Sequence, residues 1–235
     1  ASIMTVIHKI GVFGETVFEM QDSHRVVHPM ADNLNFEILH GKEGINFLLE
    51  QEGQNFLYHT VWNKLYSRKI WENAISFLEQ QTGHLVMAED ILFSNVLWFF
   101  AGTITKTKNV YYYYNKNNNI AATSKNNLSH SKILKNLSDI KMVFEFVNSF
   151  FEKVGYLSDE LKQHLDSWKQ FIAEVHNLLI KNALISGKSQ LFDFLNKEIG
   201  YDNTKGKERT NFFQTSVDFD SRFEDIKQAI ISQSC

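Results

Sequence analysis

Trp62-Asn63-Lys64-Leu65-Tyr66-Ser67-Arg68 is followed by Ala88-Glu89-Asp90-Ile91-Leu92-Phe93 and then by Tyr111-Tyr112-Tyr113-Tyr114. The first stretch mixes basic and aromatic residues at four-residue steps, Lys64 with Arg68 and Trp62 with Tyr66, which predicts a helix over about 61–68 carrying a cationic and an aromatic face. The second is an acidic pair opening an apolar helix over 89–100, and the third is a strand over 109–114 on which tyrosines alternate faces, two toward the core and two outward. Helix and strand therefore alternate through the middle of the chain.

Upstream, residues 2–7, 12–20 and 25–28 are short β-branched or alternating segments parted by Gly11, Gly14 and the Gln21-Asp22-Ser23 turn cluster, and they read as two or three strands. From Gly41 the period changes: Ile45, Leu48 and Leu49 between charged residues suit an amphipathic helix stopped by Gly53. A short helix or turn over 71–78 and a break at Gly83 lead to the acidic pair. Downstream, residues 114–127 form an asparagine-rich polar segment suited to a loop or junction. Beyond it Ile133, Leu137, Ile140, Phe144, Val147 and Phe151 recur at helical spacing up to Gly155. Ser158-Asp159-Glu160 then caps a long helix through Leu161, Leu165, Trp168, Ile172 and Leu179, ended by Gly187. Residues 190–199 and 221–231 suit two further short helices. The expected architecture is an α/β region over 1–125 followed by an all-α helical region over 126–235.

Composition narrows the function classes. The 235 residues are 43% hydrophobic and 14% aromatic, enough for a sizeable core, and a formal charge of −3 gives no overall field toward nucleic acid or an anionic bilayer. The one cysteine, Cys235, excludes an intramolecular disulfide and a thiolate cluster, so a reducing, cytoplasmic setting is expected. The greasiest run, 91–104, is too short for a membrane span and holds Ser94 and Asn95; residues 1–10 lack the pattern of a signal peptide.

Taken in order, the segment from Trp62 to Arg68, the Glu89-Asp90-Ile91-Leu92-Phe93 element and the tyrosine strand resemble the acceptor-side half of a family 2, inverting glycosyltransferase of the GT-A type, over roughly residues 35–125. The resemblance implies a partial GT-A-like mixed sheet with helices, acting in bacterial surface polysaccharide, capsule or glycoconjugate assembly, at the cytoplasm or peripherally at the inner face of the membrane. It implies a nucleotide-sugar donor and a saccharide acceptor as ligands. It carries the role of general base on the acceptor hydroxyl to Asp90, with Glu89 orienting the acceptor or its partner. Trp62, Asn63, Lys64, Arg68 and Tyr113 become candidate substrate-binding residues. Lys64 and Arg68 can meet an anionic donor diphosphate or pair with the Glu89–Asp90 carboxylates, and the residues leave both open.

The family also implies a divalent metal, Mg²⁺ or Mn²⁺, held by an Asp-x-Asp motif after a nucleotide-binding strand and loop. Neither element precedes residue 60, so the expectation is a chain whose donor-binding half is missing or sits in another domain or partner subunit. Asn115-Lys116 and Ile120-Ala121-Ala122-Thr123-Ser124 depart from the basic position and turn that relatives place after the tyrosine strand.

Plainer explanations compete at each position. First-turn carboxylates stabilise a helix by a fraction of a kcal/mol through its dipole, whatever else they do. Asp218-Phe219-Asp220 precedes a helix, where capping is the simpler role. His24 and His28 stand four apart around Val26-Val27, a strand pattern with no third metal ligand evident. Residues 200–207 match a phosphate loop only loosely, with Glu208 where Ser or Thr is required. A noncatalytic interaction module, a degenerate glycosyltransferase half with a helical docking extension, is the competing function.

Overall fold

The computed structural model describes residues 9–21, 24–29, 38–50, 56–61, 64–81, 83–115 and 128–205. Its elements, in chain order, are β1 (Lys9–Gln21), β2 (His24–Pro29), β3 (Ile38–His40), α1 (Lys42–Glu50), α2 (Phe56–His59), β4 (Lys64–Tyr66), α3 (Arg68–Leu78), α4 (Glu89–Phe99), β5 (Thr103–Asn115), α5 (His130–Lys153), α6 (Asp159–Asn182) and α7 (Lys188–Lys197). Strands and helices thus mix as far as β5, and only helices follow among the described residues. The expected loop over 114–127 lies almost wholly outside them, as do the helix over 221–231 and Asp218-Phe219-Asp220. No helix among the described residues is long and apolar enough to cross a membrane.

The chain divides into two compact units. The first holds all five strands, α1 up to Leu48, α2 from Leu57, α3, and α4 from Phe93; the second holds residues 83–92 with α5, α6 and α7.

In the first unit a mixed sheet runs β2-β1-β5-β3, with β4 also on β1. Only β1 and β5 are parallel; β2, β4 and β3 join antiparallel. Because β5 follows β1 over most of its length, β1's other edge takes β4 opposite Ile10–Val12 and β2 opposite Thr16–Gln21. Register shifts at Gly14 let β5 gain residues on β1, since Gly14 pairs with Val110 and Glu15 with Tyr112. The core of this unit comprises Ile45 and Leu48 of α1, Tyr58, Ile70, Ala74 and Leu78 of α3, Val96, Leu97 and Trp98 of α4, and Ile104 of β5. Ile70, Ala74 and Leu78 are one turn apart, which is why α3 buries a single stripe. Gly44 lies so close to the Ile104 side chain that a Cβ there would collide with it.

Two sequence expectations are corrected here. Residues 64–66 are a strand and not part of a helix over 61–68: Lys64 is buried, Leu65 is 70% exposed and Tyr66 half-buried, a period of two. Ser67, extended at φ −67° and ψ 147°, ends the strand and starts α3, which absorbs Arg68 and extends the helix expected over 71–78. The tyrosine strand starts six residues earlier than expected, at Thr103.

In the second unit α5, α6 and α7 pack pairwise. Ile133, Leu137, Ile140, Val143, Val147 and Phe151 form the buried stripe of α5, and Leu161, Leu165, Trp168, Ala173 and Ile180 that of α6. Phe144 meets Trp168 edge to face at 5.8 Å. The Ser158 hydroxyl accepts from the Leu161 amide at 3.1 Å, as its capping position predicts. Gly155, at φ +66°, closes α5, with the Tyr156 amide bonded to the Phe151 carbonyl and their rings 6.1 Å apart. Gly187 does not end α6, which stops at Asn182; at φ +73° it starts α7 instead.

Candidate functional site

The acidic pair enters α4 through an unusual backbone. Ala88, the residue before Glu89, has φ +63° and is the one non-glycine among the described residues in the left-handed region. Alanine there carries a steric cost of about 1–2 kcal/mol that glycine would avoid. Its carbonyl accepts from the amides of Ile91 at 3.0 Å and Leu92 at 3.4 Å, so α4 begins on a residue with no capping side chain. Glu89 and Asp90 fill the first turn, both half-buried. An acidic first turn complements the positive end of the helix dipole. A half-buried carboxylate at a strained helix start can accept a proton from a hydroxyl brought within hydrogen-bond reach. Behind it, Ile91 and Leu92 are buried and anchor the turn.

Lys64 sits in β4 opposite Val12 and is only 6% exposed. Its ammonium donates to the Thr60 carbonyl and lies 5.9 Å from the centre of the Trp98 ring. It is therefore a buried cation of the first unit, with His59, Thr60, Ser94, Asn95 and Trp98 buried in the same unit. The Ser94 hydroxyl donates to the His59 carbonyl. Burial, and next the charge of Lys64, hold the His59 imidazole well below the usual histidine pKa, so it is neutral at pH 7.

Arg68 separates from Lys64 because they belong to different elements. At the first position of α3 its side chain is 92% exposed and pairs with Glu72 at 3.1 Å, one turn along. Trp62 and Asn63 lie outside the described residues. Tyr113 is in β5 with Thr16 of β1 opposite it, and the facing of the four tyrosine side chains lies outside what is described.

An aromatic run that the sequence did not signal stands near β4: Tyr66 meets Trp71 edge to face at 5.9 Å, and Trp71 meets Phe93 at 6.3 Å. The five-residue step from Tyr66 to Trp71 matches no helical period, and the strand-to-helix turn at Ser67 is what brings the rings together. Trp71 is 37% exposed.

His24 and His28 both lie in β2. No group of three or more His, Cys, Asp or Glu side chains among the described residues is arranged to hold a metal ion. Compared with family models, with curated proteins and with solved structures, the chain matches none.

Proposed function

We propose that this chain is the acceptor-side part of an inverting, nucleotide-sugar-dependent glycosyltransferase of surface polysaccharide or glycoconjugate assembly, working at the cytoplasm or the inner membrane face. The observation that carries the reading is the left-handed Ala88, which turns the chain so that Glu89 and Asp90 open α4 half-buried. Backbone strain of this kind collects at functional positions because surrounding structure must sustain it. Within the first unit, Trp71 is part-exposed beside the rings of Tyr66 and Phe93, and aromatic side chains of this kind offer flat apolar surface to a pyranose ring.

In this reading the Asp90 carboxylate takes the proton of an acceptor hydroxyl as that oxygen attacks the anomeric carbon of the donor sugar. The bond to the diphosphate breaks on the opposite face, the configuration inverts, and the nucleoside diphosphate leaves with the electron pair. Glu89 orients the acceptor. The family's Mg²⁺ or Mn²⁺ would neutralise the leaving diphosphate, but the described residues offer no donor set for it.

Saturation-transfer NMR of the chain with a panel of saccharides tests the acceptor side directly. The reading predicts magnetisation transfer to at least one saccharide, weakened in Trp71→Ala. Silence across the panel refutes it.

A noncatalytic interaction module is the second reading, favoured by the exposed Leu65, Trp71 and Ile75 on β4 and α3. It predicts that Trp71→Glu and Ile75→Glu abolish association with a partner chain, whereas Asp90→Asn changes nothing.

A further inference from the structure

The residues leading into the acidic pair are held by the helical region that carries no motif of its own. In the second unit, α5 presents Lys135 and Asp139 one turn apart, and both reach the segment over 84–88. The Val86 amide donates to Asp139 Oδ2 at 2.9 Å, and the Lys135 ammonium donates to the His84 carbonyl at 2.7 Å. The same ammonium pairs with Asp139 Oδ1. Asp139 is fully buried while Lys135 is 44% exposed. A carboxylate removed from water persists only where charge and hydrogen bonds compensate it; here the compensation comes from one cation and one backbone amide of the approach. Two residues after Val86 comes the left-handed Ala88, and directly after that the pair itself.

We propose that Lys135 and Asp139 are positioning residues: together they clamp the backbone at His84 and Val86 and thereby sustain the Ala88 conformation that aims Glu89 and Asp90. The two bonds restrain alternate residues from one helix face, which fixes both the path and the rotation of the segment. The catalytic meaning of the clamp rests on the reading of Asp90 as acceptor base; its mechanical content stands apart from that reading.

Hydrogen exchange of the whole chain, with NMR titration of the Asp90 carboxyl, tests it. Lys135→Met, at a half-exposed position, removes the cation with little threat to folding, and Asp139→Asn keeps a hydrogen-bond acceptor for Val86 while losing the charge. Both should speed exchange at the amides of residues 86–92 by roughly tenfold or more, leave the amides of Phe144 and Ala173 at their wild-type rates, and shift the Asp90 titration. Lys135→Arg should restore both readouts. Changes confined to residues 84–86, with Asp90 titrating as in the wild type, would overturn the proposal, as would exchange rising equally across α5 and α6. In a transfer assay the variants should lower kcat and leave the acceptor KM nearly unchanged. If even the wild type transfers nothing, the glycosyltransferase reading fails, and the exchange and titration results decide the clamp by themselves.

Discussion

At Ala88 a side chain occupies backbone geometry that suits glycine. Ala88→Gly should therefore relieve strain and, after the added freedom of the unfolded chain is offset, stabilise the protein by about 0.5–1 kcal/mol, read as a higher denaturant midpoint. A lower midpoint would show that the left-handed backbone is not costly here. Asp139 makes the opposite case. Asp139→Ala leaves the Val86 amide without its acceptor and the half-exposed Lys135 ammonium without its carboxylate, at a cost of about 1–3 kcal/mol, most of it from the amide because water screens the lysine. The letters at 89 and 90 were enough to single out an acidic helix start. They could not show how that start is entered, because alanine has no sequence signature for positive φ. Nor could they show that Asp139, one of many charges along a helix, is the buried one.

Elements differ in how far their sequences declare them. The helices α5 and α6 were legible because each buries a stripe at three- and four-residue steps, and Ser158 announces where α6 begins. Ser158→Ala should cost about 1 kcal/mol by leaving the Leu161 amide without its acceptor, and a thermal melt with no change would contradict the cap. The strand β4 was misread for a physical reason. Three residues are too few for alternation to stand out, and the four-residue step from Lys64 to Arg68 spans two elements joined at Ser67. Helical spacing alone puts Lys64 on a helix surface beside Arg68, whereas one is buried and the other is exposed and paired with Glu72. Where α1 faces β5 the contact is close: Gly44→Ala pushes a methyl into Ile104 and should destabilise by about 1–3 kcal/mol unless that side chain turns aside.

Across the molecule, the progression among the described residues from mixed strands and helices to helices was readable from glycine placement and changing periodicity. The division into two interleaved units was not, because it depends on contacts between residues far apart in the chain. The boundary expected near residue 125 falls outside the described residues. Each unit contains a buried histidine. His59 in the first and His176 in the second are both held below the usual pKa, chiefly by burial; His176 also has Nδ1 at 2.9 Å from the Ile172 carbonyl. Such a group stays neutral when folded but takes up a proton when unfolded, so the unfolded state binds more protons below about pH 6.5. Stability is then complete above that pH and declines below it, by up to about 1.4 kcal/mol per pH unit for each histidine until the folded form also protonates. Denaturant midpoints compared at pH 7.5 and pH 5 should show the decline, and His59→Gln with His176→Gln should flatten it.

The most direct measurement is the rate of sugar transfer by Asp90→Asn, with residues 1–235 joined to a nucleotide-sugar-binding half and supplied with donor, saccharide acceptor and Mg²⁺ or Mn²⁺. If Asp90 is the base that deprotonates the acceptor, turnover falls by about 10²–10⁴-fold while the melting temperature stays near that of the wild type. Wild-type turnover in the variant would contradict the account.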